Sequence, residues 1–274
     1  MEVTLLGTGD TTGTPTPGCD CETCTTALER GIERTRFSVH VYNPASGESL
    51  LIDTSPDFRY QYLREGVPLP DEVIITHIHF DHLDGLGNIY RLTSDVPVYA
   101  STRYDELTDE SAVETIKRKY GYLRSIEVKP IDPFESMTVC GLEVELFPVN
   151  HPPVESHGLR IRDPNTGGVL AITGDTNYAI PEESRVLLRD ADLLLADALV
   201  HAGFCDGHPA GGTHEGPDGI PRTFGTKHMT REGALSLAEE LDAGTVRLVH
   251  VSHFYPADEA FEEPLAVDGE HYEL

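Results

Sequence analysis

The sequence predicts an α+β protein, a mixed sandwich in which short strands outnumber helices. Two observations predict it. Apolar runs of about five or six residues, rich in Val, Ile and Leu, recur along all 274 residues and read as strands. Helical patterns fall singly between some of these runs rather than after every one, which argues against a doubly wound parallel sheet.

In chain order the strand-like runs are "EVTLL", "FSVHVY", "SLLIDT", "DEVIITH", "VPVYA", "LEVELFPVNH", "GLRIR", "GGVLAITGD", "ADLLLADA" and "VRLVHV". Helices are expected over residues 22–31, 56–65, 82–92, 105–119, 181–189 and 230–242, the last opening on Thr230 as N-cap and stopping before Gly244. No compositional break divides the chain, so one domain over 1–274 is expected. Residues 201–228, rich in Gly, Pro and His, are expected to form a structureless, solvated insertion.

The formal charge of -27 comes from 47 acidic and 20 basic residues, with Lys117, Lys119, Lys129 and Lys227 the only lysines. Dispersed carboxylate with little lysine fits the surface of a protein from a salt-rich cytoplasm, and it disfavours extensive contact with nucleic acid or anionic membrane. No apolar run is long enough for a spanning helix, and "MEVTLLGTGD" enters a strand-like segment at once, unlike a secretory leader. A cytoplasmic location is expected.

Five cysteines fit a reducing compartment, with three of them packed into "GCDCETC". Cys19, Cys21 and Cys24 have the spacing of metal ligands. A structural zinc takes four protein ligands, so the cluster lacks one.

The strongest chemical signal is "DEVIITHIHFDHLDG", residues 71–85. A strand ends abruptly in His77, His79, Asp81 and His82, and so dense a cluster of ionisable groups needs cations as partners. The turn lets His77 and His79 converge while Asp81 and His82 point elsewhere, which suits two metals.

"THIHFDHLDG" resembles the signature of the metallo-β-lactamase-fold hydrolases, whose αββα four-layer sandwich it therefore implies. By that resemblance His77, His79 and His151 hold one cation, and Asp81, His82 and His250 hold a second. Asp175 bridges the pair. The glycine-rich opening, "LLIDTSPDFRYQYL" and "HMTREGALSLAEEL" narrow the resemblance to the PhnP-like, phosphoribosyl cyclic phosphodiesterase branch. In that branch the cysteines bind a structural zinc completed by a histidine, which is His253 here, and His228 faces the substrate at the mouth of the site.

The implied activity is opening of a small cyclic phosphate ester by two divalent cations, zinc or manganese, with Asp81 and His228 assisting. A homodimer is compatible with this reading. Alternatives within the same fold are a tRNA 3′-processing endonuclease, a thioester or lactone hydrolase, and a non-catalytic zinc-binding relative. The acidic composition argues against the first, and the intact ligand set against the last. His201, Cys205, His208 and His214 of the insertion form a further group able to bind metal opportunistically.

Overall fold

A computed structural model describes all 274 residues, and it has two large facing sheets. The first has seven strands in the order His271–Glu273, Glu2–Gly7, Ser38–Asn43, Glu48–Ile52, Glu72–Ile74, Val96–Ser101 and Ile126–Ile131. Its first three pairings are antiparallel and its last three parallel. The second has six strands: Thr245–Val249, Leu193–Asp197 and Val169–Ile172 run parallel, followed by Val154–Arg162, Leu142–His151 and Ser136–Val139, each antiparallel to the last.

Strand alternation builds the layers. Leu50 and Ile52 face Leu193 and Leu195 in the core between the sheets. Leu51 points the other way, against Phe58 and Tyr62 of helix α2 (Phe58–Glu65) and Ile116 of α4 (Ala112–Tyr120). Leu194 and Ala196 likewise turn outward, onto Leu188 of α5 (Glu182–Leu188) and Leu237 of α6 (Arg231–Glu240). Because side chains alternate faces, both sheets are apolar on both sides, which is why their strands read as nearly unbroken hydrophobic runs. The result is the four-layer αββα sandwich of the metallo-β-lactamase fold.

Helix α1 (Glu22–Arg30) starts at Cys21, whose sulfur accepts from the Cys24 N–H at 3.4 Å, and ends on Gly31 at φ 64°. Helix α3 (Phe80–Leu83) is a single turn. The helix expected over 82–92 breaks there, and Asp84–Ile89 continues as a 3₁₀ segment. Packing accompanies the break: the Gly85 N–H donates to the Thr54 carbonyl at 2.8 Å instead of back into the helix, and a Cβ on Gly85 would lie 1.9 Å from the Ser55 carbonyl oxygen, so only glycine permits the approach. The helix expected over 105–119 is also shorter. Tyr104–Asp105 pairs with Glu110–Ser111, and α4 begins only after Ser111, whose hydroxyl and Glu114 form a reciprocal capping box.

The 201–228 segment is not the structureless loop expected. After a 3₁₀ turn at Ala202–Cys205 it forms a three-stranded antiparallel sheet of Gly212–Glu215, Pro221–Phe224 and His228–Met229. Glycine and proline mark its turns and dilute the alternation that would have identified strands. This sheet lies tightly on the start of α6, where a Cβ on Gly233 would meet the Arg222 carbonyl oxygen at 2.1 Å. No helix is long and apolar enough to cross a membrane.

Candidate metal centre

Parallel strands deliver the site. Asp53, His77, Asp175, Asp197 and His250 all lie just at or beyond the C-terminal ends of parallel strands, where the chain leaves the ladder and side chains converge between the sheets. Asp53 and His250 each hold φ at 57°, a left-handed conformation uncommon for such residues, which turns their side chains inward.

His77, His79, His151 and Asp175 converge as one group, and Asp81, His82 and His250 as another. His77 Nε2 lies 3.0 Å from His79 Nδ1, which lies 3.3 Å from His151 Nε2. Two nitrogens bound to one tetrahedral zinc stand about 3.3 Å apart, so these separations are those of a ligand set. Asp175 Oδ2 serves both groups: it is 3.7 Å from His77 Nε2, 3.4 Å from His82 Nε2 and 3.2 Å from His250 Nε2. Asp81 Oδ2 completes the second group at 3.7 Å from His82 and 3.6 Å from His250, and accepts from the Thr11 hydroxyl at 2.8 Å.

The far side of three of the rings is engaged. His77 Nδ1–H donates to Thr76 Oγ1 at 3.1 Å, His82 Nδ1–H to Asp53 at 2.6 Å and His151 Nδ1–H to the Lys227 carbonyl at 3.2 Å. These bonds fix the tautomer that leaves Nε2 as a lone-pair donor. Asp53 itself accepts from the Thr76 N–H and hydroxyl at 2.8 and 2.7 Å, which holds it in place.

Buried, unpartnered nitrogen tests whether the residues fit cations. His82 Nε2 and His250 Nε2 are buried and have no hydrogen-bond partner, a state that a cation resolves. Electrostatics agrees. Burial pushes His250 down, but Asp175, Asp81 and Asp197 outweigh it and hold the imidazole at about 9. His82 is likewise held well above the usual imidazole range, burial being outweighed by Asp175, Asp53 and Asp81. The carboxylates thus demand positive charge, which divalent cations would supply in place of those protons. His151 behaves oppositely: burial and the neighbouring His228 bring it down to about 3, so it is a neutral donor.

The thiols form a separate group. Cys19, Cys21 and Cys24 sulfurs stand 3.4, 3.4 and 3.5 Å from His253 Nδ1. Bond lengths for tetrahedral zinc place a sulfur and a nitrogen ligand about 3.6 Å apart, so this set also has the dimensions of a closed site. Thr16 N–H donates to Cys24 Sγ at 3.3 Å, adding support from outside the cluster.

His228 lies beside both groups, its ring nitrogen close to Asp175 and His250. Its ring is 4.6 Å from that of His151 and 4.9 Å from that of His250. Nδ1–H donates to Asp197 Oδ2 at 2.9 Å, and Asp197 is anchored in turn by the Thr176 N–H at 2.9 Å. A cleft of about 590 Å³ opens beside His151, lined by Arg103, Asn150, Glu155 and His214 among others. His201, Cys205, His208 and His214 do not gather into a metal-sized group.

A family model described as a Beta-lactamase superfamily domain matches residues 48–251. The chain belongs to that superfamily. Within it, the chain is a PhnP-like protein of the metallo-β-lactamase fold. It is 30% identical to a diphosphatase of the PhnP family, at a TM-score of 0.78 with 100% of this chain and 97% of that one covered. Zn(2+)-bound PqqB from Methylobacterium extorquens is 22% identical at a TM-score of 0.77, with both chains covered in full. Human tRNase Z, short form, is 19% identical at 0.67, covering 100% of this chain and 99% of that one. Those last two likenesses concern the fold alone. An octanoyltransferase from Porphyromonas gingivalis (strain ATCC BAA-308 / W83) is 31% identical over 264 residues, 93% of this chain. The chain spans about half, 47%, of that relative's length.

Reading the sequence missed Asp53 and Asp197. Both end an apolar run in an acid, "LLID" and "LLLAD", a pattern that Asp175 in "AITGD", assigned through the family resemblance, also shows. That shared pattern was the available signal.

Proposed function

We propose that this superfamily member is a dinuclear metal-dependent phosphodiesterase that opens a small, cyclic phosphate ester. The observation that carries the reading is the single Asp175 oxygen shared by two histidine groups, with the Asp197–His228 pair beside it. Similarity to the PhnP-family diphosphatase supports a phosphate substrate. His77, His79, His151 and Asp175 would hold one cation, and Asp81, His82, His250 and Asp175 the other. Bound there, zinc or manganese supplies Lewis acidity toward phosphoryl oxygens and acidifies a water.

The protein's own groups do the rest. Asp175 keeps the two ligand groups together, and Asp81, held by the Thr11 hydroxyl, would orient the attacking water. His228, held through Nδ1 by Asp197, keeps Nε2 for the substrate. Once protonated, that nitrogen can deliver its proton to the leaving oxygen. Cys19, Cys21, Cys24 and His253 would close a structural zinc site that takes no part in the reaction.

Hydrolysis of bis(p-nitrophenyl) phosphate with added manganese tests the reading, followed by a panel of cyclic phosphates beside a pre-tRNA and a thioester in high salt. Turnover of the phosphodiesters is the expected result. Cleavage of only the thioester or only the pre-tRNA would replace it.

A further inference from the structure

The loop after the Thr245–Val249 strand carries four consequential residues in quick succession. His250 belongs to the catalytic group and His253 to the cysteine group, and Phe254 and Tyr255 follow. Tyr255 is buried, its hydroxyl donating to the Ala198 carbonyl at 2.9 Å. Phe254 is 46% exposed, yet it is not idle. Its ring stacks on Phe204, with centroids 4.5 Å apart and planes 21° from parallel.

Phe204 sits in the 3₁₀ turn that opens the 201–228 segment. Its ring lies 5.2 Å from His208 and 5.8 Å from Phe224, and His208 lies 4.9 Å from Phe224. On the other side the His253 ring is 4.1 Å from Phe254. A continuous run of rings therefore leads from the cysteine group to Phe224. In the small sheet Phe224 is the direct cross-strand partner of His228. Aromatic pairs about 4.5–7 Å apart are favourable beyond their burial, as the contacts among Phe254, Phe204, His208 and Phe224 are, and Phe254 is joined to His253 by the chain itself.

We propose that Phe254 and Phe204 are positioning residues that convey the state of the cysteine–histidine group to His228. A cation held by the three thiolates and His253 fixes that ring, and with it Phe254, the next residue. The stack then pins the 202–205 turn and the Pro221–Phe224 strand, whose pairing sets His228 against Asp197. With the thiolate site empty, Phe254 loses its fixed mount and the strand pair gains freedom. The thiolate site would thus govern catalysis without touching substrate. The inference rests on reading His228 as the substrate-facing group.

Hydrogen exchange of residues 221–229 in the metal-loaded protein tests the link without any substrate. It compares wild type, Phe254→Ala, Cys21→Ser and the double variant. Each single change should speed exchange about tenfold, and the double variant should exchange no faster than Cys21→Ser alone, because both cut one connection. Phe254→Tyr should restore slow exchange. His253→Ala provides the same comparison if Cys21→Ser fails to fold. Unchanged exchange in Phe254→Ala, or effects that simply add in the double variant, would overturn the proposal. Phosphodiester turnover is measured in parallel: for Phe254→Ala it should fall in kcat more than in KM, with the cation content of the histidine–aspartate site preserved. If no phosphodiester is hydrolysed, the proposed function fails while the exchange result still decides the link.

Discussion

His82 illustrates how a single side chain is prepared by its neighbours. One ring nitrogen donates to Asp53 at 2.6 Å, and the other, buried and unpartnered, faces Asp81 and Asp175. Asp53→Asn would remove the negative charge behind the ring while keeping its size. We expect affinity for the cation held by His82 to fall about 10–100-fold, as read by competition with a chromogenic chelator. Equal affinity in the variant would reduce Asp53 to a packing residue. The Asp197–His228 pair should behave differently, because the proposed function gives it a role toward the substrate and not toward the cations. His228→Ala should lower phosphodiester turnover about 10²-fold or more with cation content unchanged, and Asp197→Asn should follow it in the same direction. A variant that loses cations instead would move His228 into the ligand set.

At the scale of elements, two loops meet. The cysteine loop at the start of α1 and the loop after the Thr245–Val249 strand meet at His253, so a cation there would close nearly the whole chain. Opposite phenotypes are expected for two histidines three residues apart. His250→Ala should deplete the catalytic cations and stop turnover while a chelator-resistant zinc remains. His253→Ala, or Cys21→Ser, should lower the melting temperature by well over about 5 °C, because losing a structural metal removes folding energy directly. Elemental analysis and thermal melts separate the two cases, and two variants that both melt like wild type with full metal content would remove the cysteine group as a clamp.

Across the whole molecule, two buried neutral histidines contribute to the response to acid. Burial brings His40 and His157 each down to about 4, from an ordinary 6.5. His157 Nδ1–H donates to the Thr76 carbonyl at 3.1 Å, next to the metal centre. The unfolded chain takes up protons that the folded chain refuses between those values. The contribution of these two residues to stability is therefore complete above about pH 6.5 and is lost as pH falls toward about 4, by up to about 3 kcal/mol for each residue. Urea unfolding at pH 7.5 and pH 5 should show the loss, and His157→Asn, which keeps a donor for Thr76, should reduce it. An identical acid limb in that variant would assign the loss to other groups.

Much of this was legible in the sequence. Apolar runs announced most strands of the two sheets, because a strand buried on both faces must be apolar until the chain leaves the ladder, whereas the ligand roles came from the family likeness. "THIHFDHLDG" carried the family likeness, and its four ligand-type residues lie within six positions, so local spacing alone constrains them. What lay beyond local spacing was decided by the tertiary structure. Asp53 reaches His82 across 29 residues, and Asp197 reaches His228 across 31. The sheet within 201–228 packs on α6, and the turn that opens the segment packs on Phe254, surfaces that come from distant parts of the chain. Cys19 and His253 are separated by 234 positions, and the geometry that brings them within 3.4 Å belongs to the packed sheets, not to either loop. Spacing in the chain determines which groups can act together locally, whereas the closure of distant loops depends on burial of the whole core.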